Sequence, residues 1–236
     1  MTPTVIELRQ YTLKPGRRDV FVDLFERTFV ETQEEVGIRL IGQFRDLDDP
    51  DRFVWLRGFT DMATRKQALE DFYFGPVWQT HREAANAEII DSDNVLLLAP
   101  AAGAGFAPVD RDDKAVGADV VLIGVHDLSV PGEPIRHIDL VQEMRAGLTA
   151  AGLHPLAVLA TEPAENTFPR LPVRTDGPFV VWIAAAEDEA AANRALGEPA
   201  FAGRPGLRLQ TLRLAPTPRS RLRGRPIEDD ARPSPA

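Results

Sequence analysis

The chain contains no cysteine. Disulfides, thiolate metal sites and cysteine nucleophiles are therefore excluded. No apolar run approaches the roughly 20 residues that a helix needs to span a bilayer. The opening residues, Met1 to Glu7, lack the basic and apolar stretches of a secretion signal, so the expected location is the cytoplasm. Basic residues are outnumbered, 27 against 36 acidic, for a formal net charge of -9. Nucleic acid and anionic membranes select a basic face, so neither is an expected partner. A Gly-rich phosphate loop, a G-x-S-x-G nucleophile elbow and a dinucleotide fingerprint are also missing. The histidines, His81, His126, His137 and His154, show no ligand spacing, and no metal is expected.

What is present points to a repeated α+β unit. The 236 residues, 44% hydrophobic and 27% charged, suffice for two small domains. The stretch Phe53 to Phe59 alternates, with Val54, Leu56 and Gly58 on one side and Phe53, Trp55, Arg57 and Phe59 on the other. Period-two alternation marks a strand with two different faces. A second version runs from Phe179 to Ala185. Aligning Trp55 with Trp182 sets Leu56 on Ile183, Asp61 on Asp188 and Arg57 on Ala184, so the second version has lost its charge.

Along the chain, residues 4–13 alternate as a strand closed by Lys14-Pro15-Gly16, and 17–36 follow as a helix ending at Gly37. Strands at 38–46 and 52–59 flank the turn Asp48-Asp49-Pro50-Asp51. Asp61 caps the next helix, Gly75-Pro76 breaks it, a helical piece spans 77–88, and residues 94–99 form the fourth strand. Residues 101–117 are rich in Ala, Gly, Pro and Asp and read as a linker. The pattern then restarts. Pro131-Gly132 repeats Pro15-Gly16, and Ala215-Pro216 repeats Ala99-Pro100. The second copy has a longer, Pro-rich hairpin connection at 163–178 and a shorter second helix. Each copy reads β-α-β-β-α-β, the ferredoxin-like order. The expected fold is α+β, with ferredoxin-like units at 1–100 and 118–216 packed sheet to sheet, and residues 217–236 as a disordered tail. Such a chain is its own pseudo-dimer, with further association through strand edges open to it.

Four segments resemble the NIPSNAP family. They are Arg9 to Gly16, Phe53-Val54-Trp55-Leu56, Pro76-Val77-Trp78-Gln79 and Asn94 to Leu98. The resemblance covers residues 4–100, and reaches 118–216 only through the repeat. It implies an intrachain version of the dimeric α+β barrel, in which two sheets enclose a cavity. Relatives in that superfamily include cofactor-free monooxygenases, polyketide cyclases, isomerase-like enzymes and haem-binding enzymes. The NIPSNAP family itself has no single accepted activity.

If Ile6 and Leu8 face the helices, then Glu7, Arg9, Tyr11, Trp55 and Arg57 face the barrel interior. Buried charges are costly unless they are paired or used by a ligand. Anchoring the repeat on its Pro-Gly pairs sets Glu7, Arg9 and Tyr11 on Ile123, Val125 and Asp127, so only the first unit keeps the charges. The candidate catalytic residues are Glu7, Arg9, Tyr11, Arg57 and His81, and the candidate substrate contacts are Trp55, Phe53 and Trp78. Arg9 and Arg57 would stabilise an enolate or carboxylate, and Tyr11, Glu7 or His81 would move a proton. The expected activity is a cofactor-independent isomerase, cyclase or monooxygenase acting on an aromatic, polyketide-like or carboxylate-bearing metabolite. Two alternatives stand beside it: a non-catalytic ligand-binding or scaffold protein whose charges merely fix packing, and a haem protein using His81.

Overall fold

The structure, a computed structural model, describes residues 2–101, 105–106, 120–128, 137–197 and 208–223. The Pro131-Gly132 turn, most of the 101–117 linker and residues 224–236 lie outside the described residues. In the first half, β1 (Val5–Leu13) is followed by α1 (Arg18–Thr28), α2 (Val30–Glu35), β2 (Arg39–Asp46) and β3 (Arg52–Phe59). Then come α3 (Met62–Tyr73), α4 (Pro76–Asn86) and β4 (Ile89–Pro100). The second half contains β5 (Val120–Asp127), α5 (His137–Ala150), β6 (His154–Thr161), β7 (Phe179–Ala186), α6 (Glu189–Leu196) and β8 (Arg208–Pro216). The helical region expected at 17–36 is thus two helices that meet at Phe29.

Strand order is β4-β1-β3-β2 in the first half and β8-β5-β7-β6 in the second. The halves join by their edges. β2 pairs with β8 from Phe44↔Pro216 to Asp46↔Leu214, and β4 pairs with β6 from Leu98↔Thr161 to Pro100↔Leu159. The result is a closed antiparallel barrel of eight strands, rather than two separate sheets stacked face to face. An edge strand presents unpaired N–H and C=O groups, and closure satisfies them within one chain. Each of the eight described strands has two neighbours.

The two faces of the strands are the reverse of the expectation. Ile6, Leu8, Val54 and Leu56 meet Val121, Ile123, Val181 and Ile183 inside the barrel. Tyr11, Phe53 and Trp55 lie outside it, beneath the first-half helices. The cause is a match of size. Phe21, Phe25 and Phe29 stand four residues apart on one helical face and require a broad aromatic floor, with ring centroids of Phe21–Phe53 at 5.2 Å and Phe25–Trp55 at 5.0 Å. The interior of a small barrel is instead filled by branched aliphatic side chains. By alternation Gln10 also points inward, where its amide and that of Gln210 hydrogen-bond each other reciprocally at 2.9 and 3.1 Å.

The repeat is visible in local chemistry. Asp61 Oδ1 accepts from the Thr64 amide at 2.7 Å at the start of α3, and Asp188 Oδ1 accepts from the Ala191 amide at 2.6 Å at the start of α6. Gly37 after α2 and Gly152 after α5 both take positive φ, 90° and 76°, at an offset of 152 − 37 = 115 residues. Residues 217–223, expected to belong to a disordered tail, are ordered against the barrel. Residues 217–223 run beside β2, with the Thr217 amide donating to Gln43 O at 2.9 Å and the Leu222 amide to Ile41 O at 3.0 Å. Leu222, and Phe106 from the expected linker, are buried in the barrel interior. Apolar side chains in segments of turn-like composition are thus drawn into the core.

Residues 1–100 expressed alone would expose the β2 and β4 edges and the apolar inner face. That fragment should self-associate or aggregate in analytical ultracentrifugation. A stable, well-folded monomer at high concentration would contradict this reading of the closure.

Candidate functional site

The register of β1 and β3 sets Glu7 opposite Arg57 and Arg9 opposite Trp55 on the outer face. α3 adds Arg65, which shares its buried face with Ala68, Leu69 and Phe72. Glu7 Oε2 accepts from Arg9 Nη1 and Arg57 Nε, both at 2.8 Å, and Oε1 accepts from Arg65 Nε at 2.7 Å. Arg57 Nη2 also lies 2.7 Å from Glu7 Oε2, as a charge contact without hydrogen-bond alignment. None of the four side chains is more than 1% exposed. One carboxylate thus faces three guanidiniums in the space between sheet and helices.

Burial pushes the Glu7 carboxyl up, but attraction to Arg57, Arg9 and Arg65 outweighs it and holds the group well below the usual carboxylate range. Burial pulls Arg9 down, and Tyr11 and Glu7 more than reverse this, raising it. Arg65 is lowered, chiefly by burial. Burial raises the Tyr11 hydroxyl above its ordinary value against the pull of Arg9, so it is a neutral phenol at neutral pH. Aromatic faces take up part of the excess positive charge. Arg57 lies 5.0 Å from the Trp55 ring centroid and 5.9 Å from that of Tyr73, and Arg9 lies 5.5 Å from Tyr11 and from Trp55.

Beside the cluster, under α1 to α4, is a cavity of about 90 Å³. Its walls include Tyr11, Gln33, Trp55, Tyr73, Trp78 and Leu171. Three polar side chains in this wall touch the guanidiniums. Arg9 Nε donates to Tyr11 OH at 3.2 Å, and Arg57 Nη1 reaches Gln33 Oε1 at 3.4 Å and Tyr73 OH at 3.5 Å. The last two lie at the long limit for hydrogen bonds. Several buried polar atoms have no hydrogen-bond partner: Arg65 Nη2, Trp55 Nε1, and both amide atoms of Gln43, which stands opposite Trp55.

The sequence candidates therefore separate into three groups. Glu7, Arg9 and Arg57 form the charge cluster behind the cavity wall, while Tyr11, Trp55 and Trp78 line the cavity. Phe53 is fully buried in aromatic packing and does not line it. His81 is half-buried on α4, its ring 6.4 Å from that of Phe29 and outside the cavity wall. The site lies under the helices, not in the barrel interior, for the reason given above. Haem does not fit it, because the cavity is far smaller than a porphyrin and His81 does not reach it.

Residues 6–104 match the NIPSNAP family. The chain carries a NIPSNAP domain. Over the whole length it resembles two solved structures. One is a candidate monooxygenase from Lactobacillus acidophilus, at 13% identity and a TM-score of 0.57, covering 92% of this chain and 94% of that one. The other is a candidate monooxygenase from Fusobacterium nucleatum, at 8% identity and a TM-score of 0.58, covering 91% and 93%. A NIPSNAP-like domain protein from Burkholderia xenovorans is 27% identical over 46% of this chain and 91% of its own, with a TM-score of 0.40. No curated protein matches the chain. The full-length similarities establish a shared mixed α/β fold of the type seen in those proteins.

Within the NIPSNAP domain, the sequence reading missed Arg65 and Gln33, although both fall at helical spacing with buried neighbours. Arg65 precedes Ala68, Leu69 and Phe72, and Gln33 follows Phe29 and Val30. It also missed Asn166 and Thr167 of the second half, which accept from Arg65 Nη1 at 3.0 and 3.2 Å. No local signal in the sequence joins positions a hundred residues apart.

The second half has a different set of equivalents from those expected. Arg9 pairs with Trp55, and Gly124 pairs with Trp182, an offset of 124 − 9 = 115 rather than the 131 − 15 = 116 of the Pro-Gly pairs. Glu7, Arg9 and Tyr11 therefore correspond to Leu122, Gly124 and His126, not to Ile123, Val125 and Asp127. A one-residue slip moves every side chain to the other face. Arg57 corresponds to Ala184, which pairs with Leu122. A Cβ on Gly124 would lie 2.1 Å from the Trp182 indole, so the tryptophan covers the glycine. Trp182 Nε1 donates to His126 Nε2 at 3.0 Å. The charge cluster of the NIPSNAP domain is thus replaced by apolar packing and one neutral hydrogen bond.

Glu7→Gln leaves three buried guanidiniums without a carboxylate, and should destabilise the protein by about 3–5 kcal/mol, the usual cost of breaking a buried pair. A urea unfolding curve measures it, and a change under 1 kcal/mol would refute the central role of Glu7. Burial depresses His126 from 6.5 to about 4. The folded state then binds this proton less readily than the unfolded chain. Stability from this group is complete above pH 6.5 and is lost as pH falls toward 4. His126→Gln should show a smaller drop in urea midpoint between pH 7.5 and 5 than the unaltered protein.

Proposed function

We propose that the NIPSNAP domain binds a small aromatic molecule bearing a carboxylate or an enolisable oxygen in the cavity under the helices. We further propose that it acts on that molecule without a cofactor, by isomerisation, cyclisation or oxygenation. The observation that carries this reading is an aromatic cavity whose polar wall is backed by three guanidiniums and a single carboxylate. An anionic group would balance the excess charge, and Arg57 is the guanidinium with slack, since its contacts to Gln33 and Tyr73 are long. Tyr11 accepts from Arg9 and is held neutral, which leaves its own hydrogen for a ligand oxygen. In this reading Tyr11 is the donor or acid and Arg57 stabilises the developing negative charge. Glu7 anchors the guanidiniums and is too weakly basic to move a proton. His81 takes no part. The cavity is smaller than the roughly 150 Å³ space known to take up benzene. A single ring would enter with small side-chain shifts, and a fused polyketide is too large.

We read the two halves as tandem ferredoxin-like units forming an intrachain α+β barrel of the kind otherwise made by dimers. The support is their identical strand order and matched helix caps. No described helix is long and apolar enough to cross a membrane.

The competing reading, an ion-pair network that only seats α3 on the sheet, draws on the near-complete burial of all four charges. Arg57→Ala separates the two, because Glu7 keeps Arg9 and Arg65 and the second half already has Ala184 at the matching position. Trp55 and Trp78 in the wall report binding through their fluorescence. The protein should bind benzoate more tightly than benzamide, and Arg57→Ala should weaken benzoate by about 1.5–3 kcal/mol with little change in melting temperature. A fall in melting temperature with benzoate binding unchanged would make the network structural.

A further inference from the structure

We propose that the long β6–β7 connection of the second half, residues 162–178, is the specificity wall of the NIPSNAP cavity, with Leu171 setting the size of ring accepted. This rests on the reading of the cavity as a ligand site. The first-half hairpin between β2 and β3 has 5 residues (47–51), and its counterpart has 17 (162–178). The extra length leaves its own half. At its ends, the Glu162 amide donates to Leu97 O at 2.9 Å and the Arg174 amide to Val95 O at 2.8 Å, both on β4. In between, Phe168 is 5% exposed and stacks on Tyr73 at 5.8 Å and 26°, while Leu171 forms part of the cavity wall.

Asn166 fixes the segment to the charge cluster. Its Oδ1 accepts from Arg65 Nη1 at 3.0 Å and from the Phe168 amide at 3.1 Å, and its Nδ2 donates to Leu171 O at 2.8 Å. Thr167 Oγ1 accepts from the same guanidinium and donates to Met62 O at 3.3 Å. The positions of Phe168 and Leu171 are therefore tied to Arg65, which Glu7 holds. A wall on an irregular segment can change shape by substitution without disturbing the strands that carry the charges. Size selection in an apolar pocket follows from the volume its walls leave, at about tenfold or more for each methylene.

The test uses the full chain, with benzoate and 2-naphthoate as probes followed by tryptophan fluorescence. Leu171→Ala should raise the naphthoate-to-benzoate affinity ratio about tenfold, and Leu171→Phe should weaken benzoate by a similar factor. Leu171→Met, close in volume, should leave the ratio near that of the unaltered protein and guards against general loss of folding. If benzoate binds and Arg57→Ala weakens it, yet the ratio is the same in Leu171→Ala, the wall assignment fails and the site stands. If neither probe binds the unaltered protein, the site itself fails and this inference with it.

Discussion

Three segments of this chain meet at one carboxylate, and a fourth joins them through Arg65. Glu7 on β1 accepts from a guanidinium on its own strand, one on β3 and one on α3, and the last of these reaches across to the second half. Removing a carboxylate from water is costly, and here its lone pairs are repaid by charge-assisted hydrogen bonds from Arg9, Arg57 and Arg65. The reverse does not hold. Three guanidiniums cannot be neutralised by one carboxylate, and the deficit is met only in part by the faces of Trp55, Tyr11 and Tyr73. Well-packed apolar residues of similar volume often serve stability at least as well as a buried ion-pair cluster. The second half illustrates the point within the same chain. Leu122, Gly124 and Ala184 occupy the corresponding positions and are packed without a charge.

Closure of the barrel makes this asymmetry workable. With the edges of both halves joined through β2–β8 and β4–β6, the two halves share one inner face, mostly apolar apart from the Gln10–Gln210 pair. The outer faces are then independent. One keeps its charges and aromatic rings under four helices. The other is covered by α5 and α6, with no described counterpart of α4, and packs Trp182 over Gly124. A change on one outer face can leave the common interior untouched, because strand side chains alternate between the two faces.

Much of the fold was legible in the sequence because strands, turns and caps are local. The alternation at Phe53–Phe59, the Asp61 and Asp188 caps and the repeat itself follow from neighbouring residues. Alternation divides a strand into two faces but does not say which face a barrel will enclose. The deciding signal lay elsewhere, in the four-residue spacing of Phe21, Phe25 and Phe29, which demands an aromatic floor. The register error had a similar origin. A Pro-Gly turn marks where a strand ends, yet one extra residue between strand and turn shifts every equivalence to the opposite face. Glu7, Arg9 and Arg57 emerged as a group because they sit on adjacent strands joined by a short connection. Arg65 was readable from its place among Ala68, Leu69 and Phe72, but a charged residue on a buried helical face is easily taken for a solvated one. Asn166 and Thr167 were not readable at all, since only the closed barrel brings them to Arg65.

That last contact ties the two halves together. The half without the charged side chains carries the longer hairpin connection, residues 162–178. Its residues pack on the rim of Tyr73, Phe74 and the cavity, where Phe168 and Leu171 are buried or half-buried. Burial there also gives Arg65 Nη1 two acceptors, Asn166 Oδ1 and Thr167 Oγ1. The apolar and polar gains point to the same placement of the segment. Such agreement between independent interactions is what fixes an irregular loop in one conformation. The half without the charge cluster thereby becomes part of the surroundings of the half that retains it.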